Sequence, residues 1–345
     1  MGPLTPAPNS ERKRQNATKY QRQKARTKVQ QGAQAPPGNQ QPGSHSSRRI
    51  PLLAMACAAP MRAYKASTGR LVFFKKTEKE YHQEPYTGLQ IPCGTCILCR
   101  EEQARQQAVR ITHEATQWEQ NSFITLTYNE DNLPDHGSLR YKDLVTFWKR
   151  LRKQTGKLRY YAVGEYGDKT LRPHYHACIF GHDFTQDSII CQETPHRLWI
   201  NLELTKCWGM GDVKVGMLNF QTARYTASYV TKKLRSKQKY VRVDQESGEL
   251  IPVEQPRAFM SRNLGLRWWE IYGHQLKDHD HVIIDGQKQK PPKMYDRWLT
   301  EQGDIQKIEE IKRKRIEQIK PNTQTETHAR ARNAHARAQK KKSTI

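Results

Sequence analysis

The chain has 345 residues, with 59 Lys+Arg against 34 Asp+Glu, a net charge of +25 and 35% hydrophobic residues. No apolar run approaches the roughly 18 residues that a membrane-spanning helix needs, and seven cysteines are too few for a disulfide scaffold. No membrane partner is therefore expected, and the surplus of positive charge predicts a polyanionic partner, nucleic acid before any other.

Residues 1–54 hold ten Lys/Arg and one acid, Glu11, for +9. Residues 321–345 hold six Lys/Arg and one acid, Glu326, for +5, which leaves +11 of the +25 for residues 55–320. Both ends read as disordered basic tails that touch phosphate nonspecifically. Residues 30–49, rich in Gln, Pro, Gly and Ser, read as linker. Arg48 and Arg49 precede a short apolar stretch, but Pro51 interrupts it and a long polar segment stands in front, so no secretory leader is expected. Leu71 to Phe74 predicts a strand. Cys93, Cys96 and Cys99 follow at x2 spacing, and Cys57 offers a fourth thiolate. Four thiolates suit structural Zn²⁺ and less readily an iron–sulfur cluster. Two other readings stay open: His113 replacing Cys96 as ligand, and free thiols in a reducing compartment. A helix is predicted from about Arg100 to Gln120, where Ala104, Ala108, Ile111, Ala115 and Trp118 make one apolar stripe.

Phe123 to Tyr128 alternates with period two and predicts a half-buried strand. Tyr141 to Lys153 predicts a helix with Leu144, Phe147, Trp148 and Leu151 inward. Leu158 to Tyr166 and His174 to Phe180 predict two strands joined by a turn. Val213 and Val215 mark a further short strand, and Phe220 to Leu234 a helix without Pro or Gly. Ser236 to Glu254 reads as a polar loop or hairpin. Trp268, Trp269 and Tyr272 anchor a C-terminal piece that ends at Pro291-Pro292, and Tyr295 to Lys320 reads as one charged helix.

The sharpest chemistry lies in His174-Tyr175-His176. Residues i and i+2 of a strand share a face, so both imidazoles point one way. If the preceding turn spans Asp168 to Leu171, Gly167 pairs with Arg172 and Glu165 pairs with His174, and directly paired residues also share a face. Glu165, His174 and His176 then converge. Two imidazoles and a carboxylate suit Mn²⁺, Zn²⁺ or Co²⁺ and leave positions open for a phosphate oxygen. Cys178 is expected in the core, on the face opposite the histidines. Tyr225 and Tyr229, four apart on a helix, share a face, with Lys232 and Lys233 following. A phenol is a weak nucleophile at its ordinary pKa of about 10, and a cation beside it would activate it.

Phe-Ile-Thr-Leu-Thr-Tyr (123–128), Arg-Pro-His-Tyr-His-Ala (172–177) and Tyr-Thr-Ala-Ser-Tyr-Val-Thr-Lys-Lys (225–233) resemble, in order, the three motifs of rolling-circle replication initiators, the HUH endonucleases. Met-Ala-Cys-Ala-Ala-Pro (55–60), Pro-Cys-Gly-Thr-Cys-Ile-Leu-Cys-Arg (92–100), Ala-Val-Gly-Glu-Tyr-Gly (162–167) and Met-Ser-Arg-Asn-Leu-Gly (260–265) are similar to the initiation proteins of gokushoviruses, phages of the microvirus family. The resemblance implies an α+β fold, an antiparallel central sheet with flanking helices. With the resemblance covering roughly 55–300 and the charge marking the two ends, the chain divides into a basic extension (1–54), a cysteine-rich element and helix (55–120), a nuclease core (121–235), an accessory region (236–300) and a charged helix with a basic tail (301–345). The resemblance implies Glu165, His174 and His176 as ligands of a catalytic Mn²⁺ or Mg²⁺, and Tyr225 and Tyr229 as nucleophiles with Lys232 and Lys233 beside them. The implied activity is nicking of single-stranded or extruded origin DNA through a 5′-phosphotyrosine adduct, followed by rejoining. The implied partners are a host polymerase and helicase, in the host bacterial cytoplasm. Tyr175 is bulkier and more polar than the motif's usual middle residue. The alternatives are a transposase or relaxase of the same chemistry and a non-catalytic, zinc-stabilised nucleic-acid-binding protein.

Overall fold

The computed structural model describes residues 57–65, 70–73, 89–167, 170–186, 188–193, 197–233, 240–244, 246–318 and 323–343. The extension over 1–54 lies outside the described residues. In chain order the elements are β1 (Met61–Lys65), β2 (Leu71–Phe73), β3 (Leu89–Ile91), α1 (Ile97–Ala115), β4 (Asn121–Thr127), α2 (Tyr141–Thr155), β5 (Arg159–Tyr166), β6 (Pro173–Phe180), β7 (Ile189–Gln192), β8 (Leu198–Ile200), α3 (Leu202–Trp208), β9 (Val213–Gly216), α4 (Phe220–Lys233), β10 (Val241–Val243), β11 (Leu250–Pro252), β12 (Ala258–Met260), α5 (Leu266–Tyr272), α6 (Leu276–His279), β13 (Val282–Ile284), β14 (Gln287–Gln289), α7 (Lys293–Glu301), α8 (Ile305–Glu317) and α9 (Gln324–Ser343).

The fold is α+β around a seven-stranded sheet of order β12-β5-β6-β4-β9-β8-β7. Every pairing in it is antiparallel. Period-two alternation divides each central strand between two cores. Ile124, Leu126, Ala162, Tyr175, Ala177 and Ile179 face α2 and α3, where Leu144, Phe147, Trp148, Leu151, Leu204 and Trp208 meet them. Phe123, Tyr161, Val163, Cys178 and Phe180 face the other way, toward Ala104, Ala108 and Ile111 of α1 and Ala223 and Ala227 of α4. Small alanines at that contact let α1 and α4 lie close together above the sheet. Between β4 and β9, Gly211 (φ +145°) approaches so closely that a Cβ would collide with the Thr127 carbonyl oxygen.

A third cluster gathers Trp269, Leu276, Val282, Ile284, Tyr295, Trp298, Ile308 and Ile311 against Val109 of α1. Glu114 of α1 ties this region to the sheet. It accepts from Arg159 Nε at 2.7 Å, from Trp118 Nε1 at 3.1 Å and from the Gly265 backbone N–H at 2.8 Å.

Two expectations for the C-terminal region differ from the structure. The charged helix over Tyr295–Lys320 is two helices, α7 and α8, because Gly303 adopts φ +89° between them. The tail over 321–345, expected to be disordered, contains the helix α9. Thr323 and Glu326 form a capping box there: the Thr323 N–H donates to Glu326 Oε2 at 3.0 Å and the Glu326 N–H to Thr323 Oγ1 at 3.2 Å. Repeated alanines then favour helix, and Ala334 is fully buried. β7, β8, α3 and β12 carry too few residues to show a period, although Asn201 caps α3 by accepting from the Leu204 N–H at 2.9 Å.

His113 lies far from the role of an alternative cysteine-site ligand. Its ring stacks on Trp268 (centroids 3.5 Å apart), its Nδ1 is 2.7 Å from Tyr295 Oη, and its Nε2 is buried without a hydrogen-bond partner. Burial pushes its pKa down to about 3. A folded pKa below the unfolded value of about 6.5 means that the unfolded state takes up the proton first. The neutral ring's contribution is therefore complete above about pH 6.5 and is lost as pH falls toward 3. At pH 4.5 the loss should be roughly 2–3 kcal/mol. Denaturant unfolding of the wild type and His113→Gln at pH 7 and pH 4.5 checks this; equal pH dependence in the two proteins would refute it.

Candidate active site

The pairing of β5 with β6 sets Glu165 opposite His174 and Val163 opposite His176, with Gly167 bonded to Arg172 across the turn. This is the register that the four-residue turn predicts. Arg172 pins the turn through Glu130 at 2.6 Å and the Tyr128 carbonyl at 2.9 Å. Glu165, His174 and His176 share one face, and one ligand atom from each lies within 4.8 Å of the others. Glu165 Oε1 is 2.7 Å from His174 Nε2 and 3.0 Å from His176 Nε2. Glu165 and His176 are buried, whereas His174 is partly open to solvent.

The far nitrogens are held as well. His174 Nδ1 is 3.1 Å from the Arg172 carbonyl oxygen, and His176 Nδ1 is 2.9 Å from Thr125 Oγ1. Thr125 stands directly opposite His176 on β4. Alternation along β4 gives Phe123, Thr125 and Thr127 one shared face, and only the pairing of β4 with β6 makes it the histidine face. Replacing Thr125 by Val removes this orienting contact. Metal affinity should fall about 10- to 100-fold, as measured by Mn²⁺ titration calorimetry. Unchanged affinity would deny Thr125 that role.

The donor set fits a divalent cation. His174 faces an acceptor at each nitrogen, a carbonyl oxygen and a carboxylate oxygen. A neutral imidazole has one N–H and can serve only one of them. The other contact calls for a second proton or a cation between ring and carboxylate. Glu165 Oε2 is also buried without a hydrogen-bond partner. Burial works to raise the Glu165 pKa, but hydrogen bonds from His174 and His176 and their charge outweigh it and hold the carboxyl below its ordinary range. Burial also holds the His176 pKa below its ordinary value, against the pull of Glu165.

Tyr175 points to the other face. Its hydroxyl accepts from the Arg140 N–H at 2.9 Å and lies 3.1 Å from Tyr128 Oη, which donates to Asp143 at 2.9 Å. This chain provides for the hydroxyl that the middle position of the motif would otherwise bury unpaired. Cys178 is on the histidine face, not the opposite one: two residues past His176, it lies beneath α4 with its Sγ 3.8 Å from Thr226 Oγ1.

α4 brings both tyrosines over the His176 imidazole. Tyr229 stacks on His176 (centroids 5.2 Å apart, 18° between planes), and Tyr225 meets the same ring edge-on at 5.3 Å. The two tyrosine rings pack at 4.7 Å, and Phe123 stacks on His176 at 5.7 Å. The side chains of Lys232 and Lys233 lie outside the described residues. At the Pro173 end of β6, an open cavity of about 400 Å³ is lined by Leu133, His136, Leu171, Arg172 and Arg242. Elsewhere, Cys57, Cys93, Cys96 and Cys99 come together as a second group of potential metal ligands.

The family model described as replication-associated protein ORF2/G2P matches residues 121–234. The chain is 30% identical over 258 residues to replication-associated protein VP4 of Bdellovibrio phage phiMH2K, covering 71% of this chain and 77% of that one. It is 29% identical over 285 residues to replication-associated protein ORF2 of Spiroplasma virus 4, covering 76% and 86%. It is 29% identical over 219 residues to replication-associated protein ORF4 of Chlamydia phage 1, covering 60% and 52%. No solved structure matches. With two of its motifs on neighbouring strands, the third on the helix that covers them, and its likeness to these relatives over most of their length, the chain belongs to the phage replication-associated proteins, in the gokushovirus group that its motifs resemble.

Proposed function

We propose that this protein initiates rolling-circle replication by nicking single-stranded origin DNA through Tyr225 or Tyr229. The contact of both tyrosine rings with His176, on the face that carries Glu165 and His174, is the observation behind this reading. The phenolic oxygen attacks the scissile phosphorus in line. An Oη–P bond forms, the P–O3′ bond breaks, the phenol gives up its proton, and the departing 3′ oxygen takes one up. The protein is left joined to the 5′ phosphate, and the free 3′ hydroxyl serves a host polymerase as primer. Because one phosphate ester replaces another, a 3′ hydroxyl can later attack the phosphotyrosine and close the strand. Two tyrosines on one helical turn suit that alternation.

Glu165, His174 and His176 would hold Mn²⁺ or Mg²⁺, which supplies polarisation of a phosphate oxygen and neutralises its charge. Thr125 and the Arg172 carbonyl orient the imidazoles, and the aromatic packing of Phe123, Tyr225 and Tyr229 restricts water around His176. Arg172 and Arg242 beside the open cavity offer positive charge to flanking nucleotides. The division at residues 121–235 then marks the catalytic core. The work takes place in the host cell cytoplasm with a host helicase, and among the described residues no helix is long and apolar enough to cross a membrane.

The test is a denaturing gel of protein with labelled single-stranded origin oligonucleotide, with and without Mn²⁺ or Mg²⁺. A covalent band that needs metal is expected. Binding without any adduct would favour a non-catalytic nucleic-acid-binding protein. α9 carries six Lys/Arg, from Arg330 to Lys342, against Glu326. Its deletion should flatten the plot of log affinity against log salt by up to about 4 for single strands. An unchanged slope would show that α9 does not touch phosphate.

A further inference from the structure

We propose that Cys57, Cys93, Cys96 and Cys99 hold a structural zinc ion that pins the small N-terminal sheet to the first turn of α1. The four sulfurs lie within 4.8 Å of one another, and Cys57 Sγ and Cys96 Sγ are 3.9 Å apart. All four cysteines are free, so no disulfide accounts for their meeting. This site stands apart from the Glu165 cluster and does not depend on the nicking reading.

The Cys93 N–H donates to Cys57 Sγ at 3.3 Å, and the Ala58 N–H to Cys96 Sγ at 3.4 Å. The N–H groups of Thr95 and Cys96 both donate to Cys93 Sγ, at 3.4 and 3.3 Å, with the Thr95 hydroxyl at 3.4 Å. Gly94 (φ +72°) makes the tight turn that aims these donors back at sulfur. N–H groups directed at sulfur stabilise thiolates, and thiolates this close repel one another unless a cation lies among them. Soft sulfur donors exclude Mg²⁺, Mn²⁺ and Ca²⁺. Four protein ligands close a tetrahedral site with no position left for substrate, which makes the role structural.

The surroundings show why a metal is needed there. β1, β2 and β3 form a sheet of three short strands, and Met61, Val72 and Phe73 are exposed. Of its described side chains only Ala63 and neighbouring Cys57 are deeply buried. A sheet of that size has too little core to hold itself. Cys96 is the N-cap residue of α1 with no side-chain capping hydrogen bond, and Cys99 lies in the first turn. The ion would fasten the chain before β1 to the helix that packs beside the tyrosine-bearing α4.

Metal analysis of the full-length protein, dialysed against a mild chelator, tests the proposal. About one zinc ion per chain is expected. It should remain in the His174→Ala/His176→Ala variant, be lost in Cys96→Ser, and return in Cys96→His, which again offers a zinc ligand. Cobalt exchanged into the wild type should give a thiolate-to-cobalt charge-transfer band that Cys93→Ser abolishes. Iron with visible sulfide absorption in place of zinc, or folded protein with neither zinc nor a cobalt–thiolate band, would overturn the proposal.

Discussion

The double substitution Tyr225→Phe/Tyr229→Phe should abolish the covalent protein–DNA adduct, a loss of at least about 1000-fold. Phenylalanine keeps the ring packing on His176 and between the two side chains, so only the hydroxyls are lost. Circular dichroism and DNA binding should therefore stay at the wild-type level. Each single variant should still form an adduct on a simple oligonucleotide but fail to release closed circles, because alternation needs two hydroxyls. Adduct from the double variant, in amounts near wild type, would mean that another residue is the nucleophile.

Glu165→Gln should slow cleavage by about 100- to 10,000-fold while leaving binding to single-stranded DNA within about twofold. Glutamine retains the shape and the oxygen that faces both imidazoles, but not the charge that holds a cation. Raised Mn²⁺ should restore part of the rate. The readout is single-turnover cleavage across a metal titration, with binding followed by anisotropy. A wild-type metal dependence in this variant would remove Glu165 from the metal centre.

Much of the candidate site was legible because its parts are local. His174 and His176 are two apart on a strand, Glu165 lies across one tight turn, and Tyr225 and Tyr229 are one helical turn apart. Each relation follows from a backbone period and needs no knowledge of the rest of the fold. The same rule puts Cys178, two residues past His176 on one strand, on the histidine face and not the opposite one. The capping box at Thr323 and Glu326 and the break at Gly303 were equally local signals, outweighed by the high charge of the segments around them.

Other features arise from pairings between distant segments. Thr125 becomes the partner of His176 only because β4 lies beside β6, and which strand takes that place is not written in either one. The same holds for β12 at the edge of the sheet beside β5 and for His113 beneath Trp268 and Tyr295. The sequence by itself determined the periodic elements, the shared face of Glu165, His174 and His176, the spacing of the tyrosines and the basic character of the chain. Only the tertiary structure decided that α4 covers that face, that Thr125 and the Arg172 carbonyl orient the rings, and that burial lowers the His176 pKa. The reason is physical: period and turn geometry act between near neighbours, whereas contact across the sheet, burial and the shift of a pKa depend on which remote surfaces exclude water from one another.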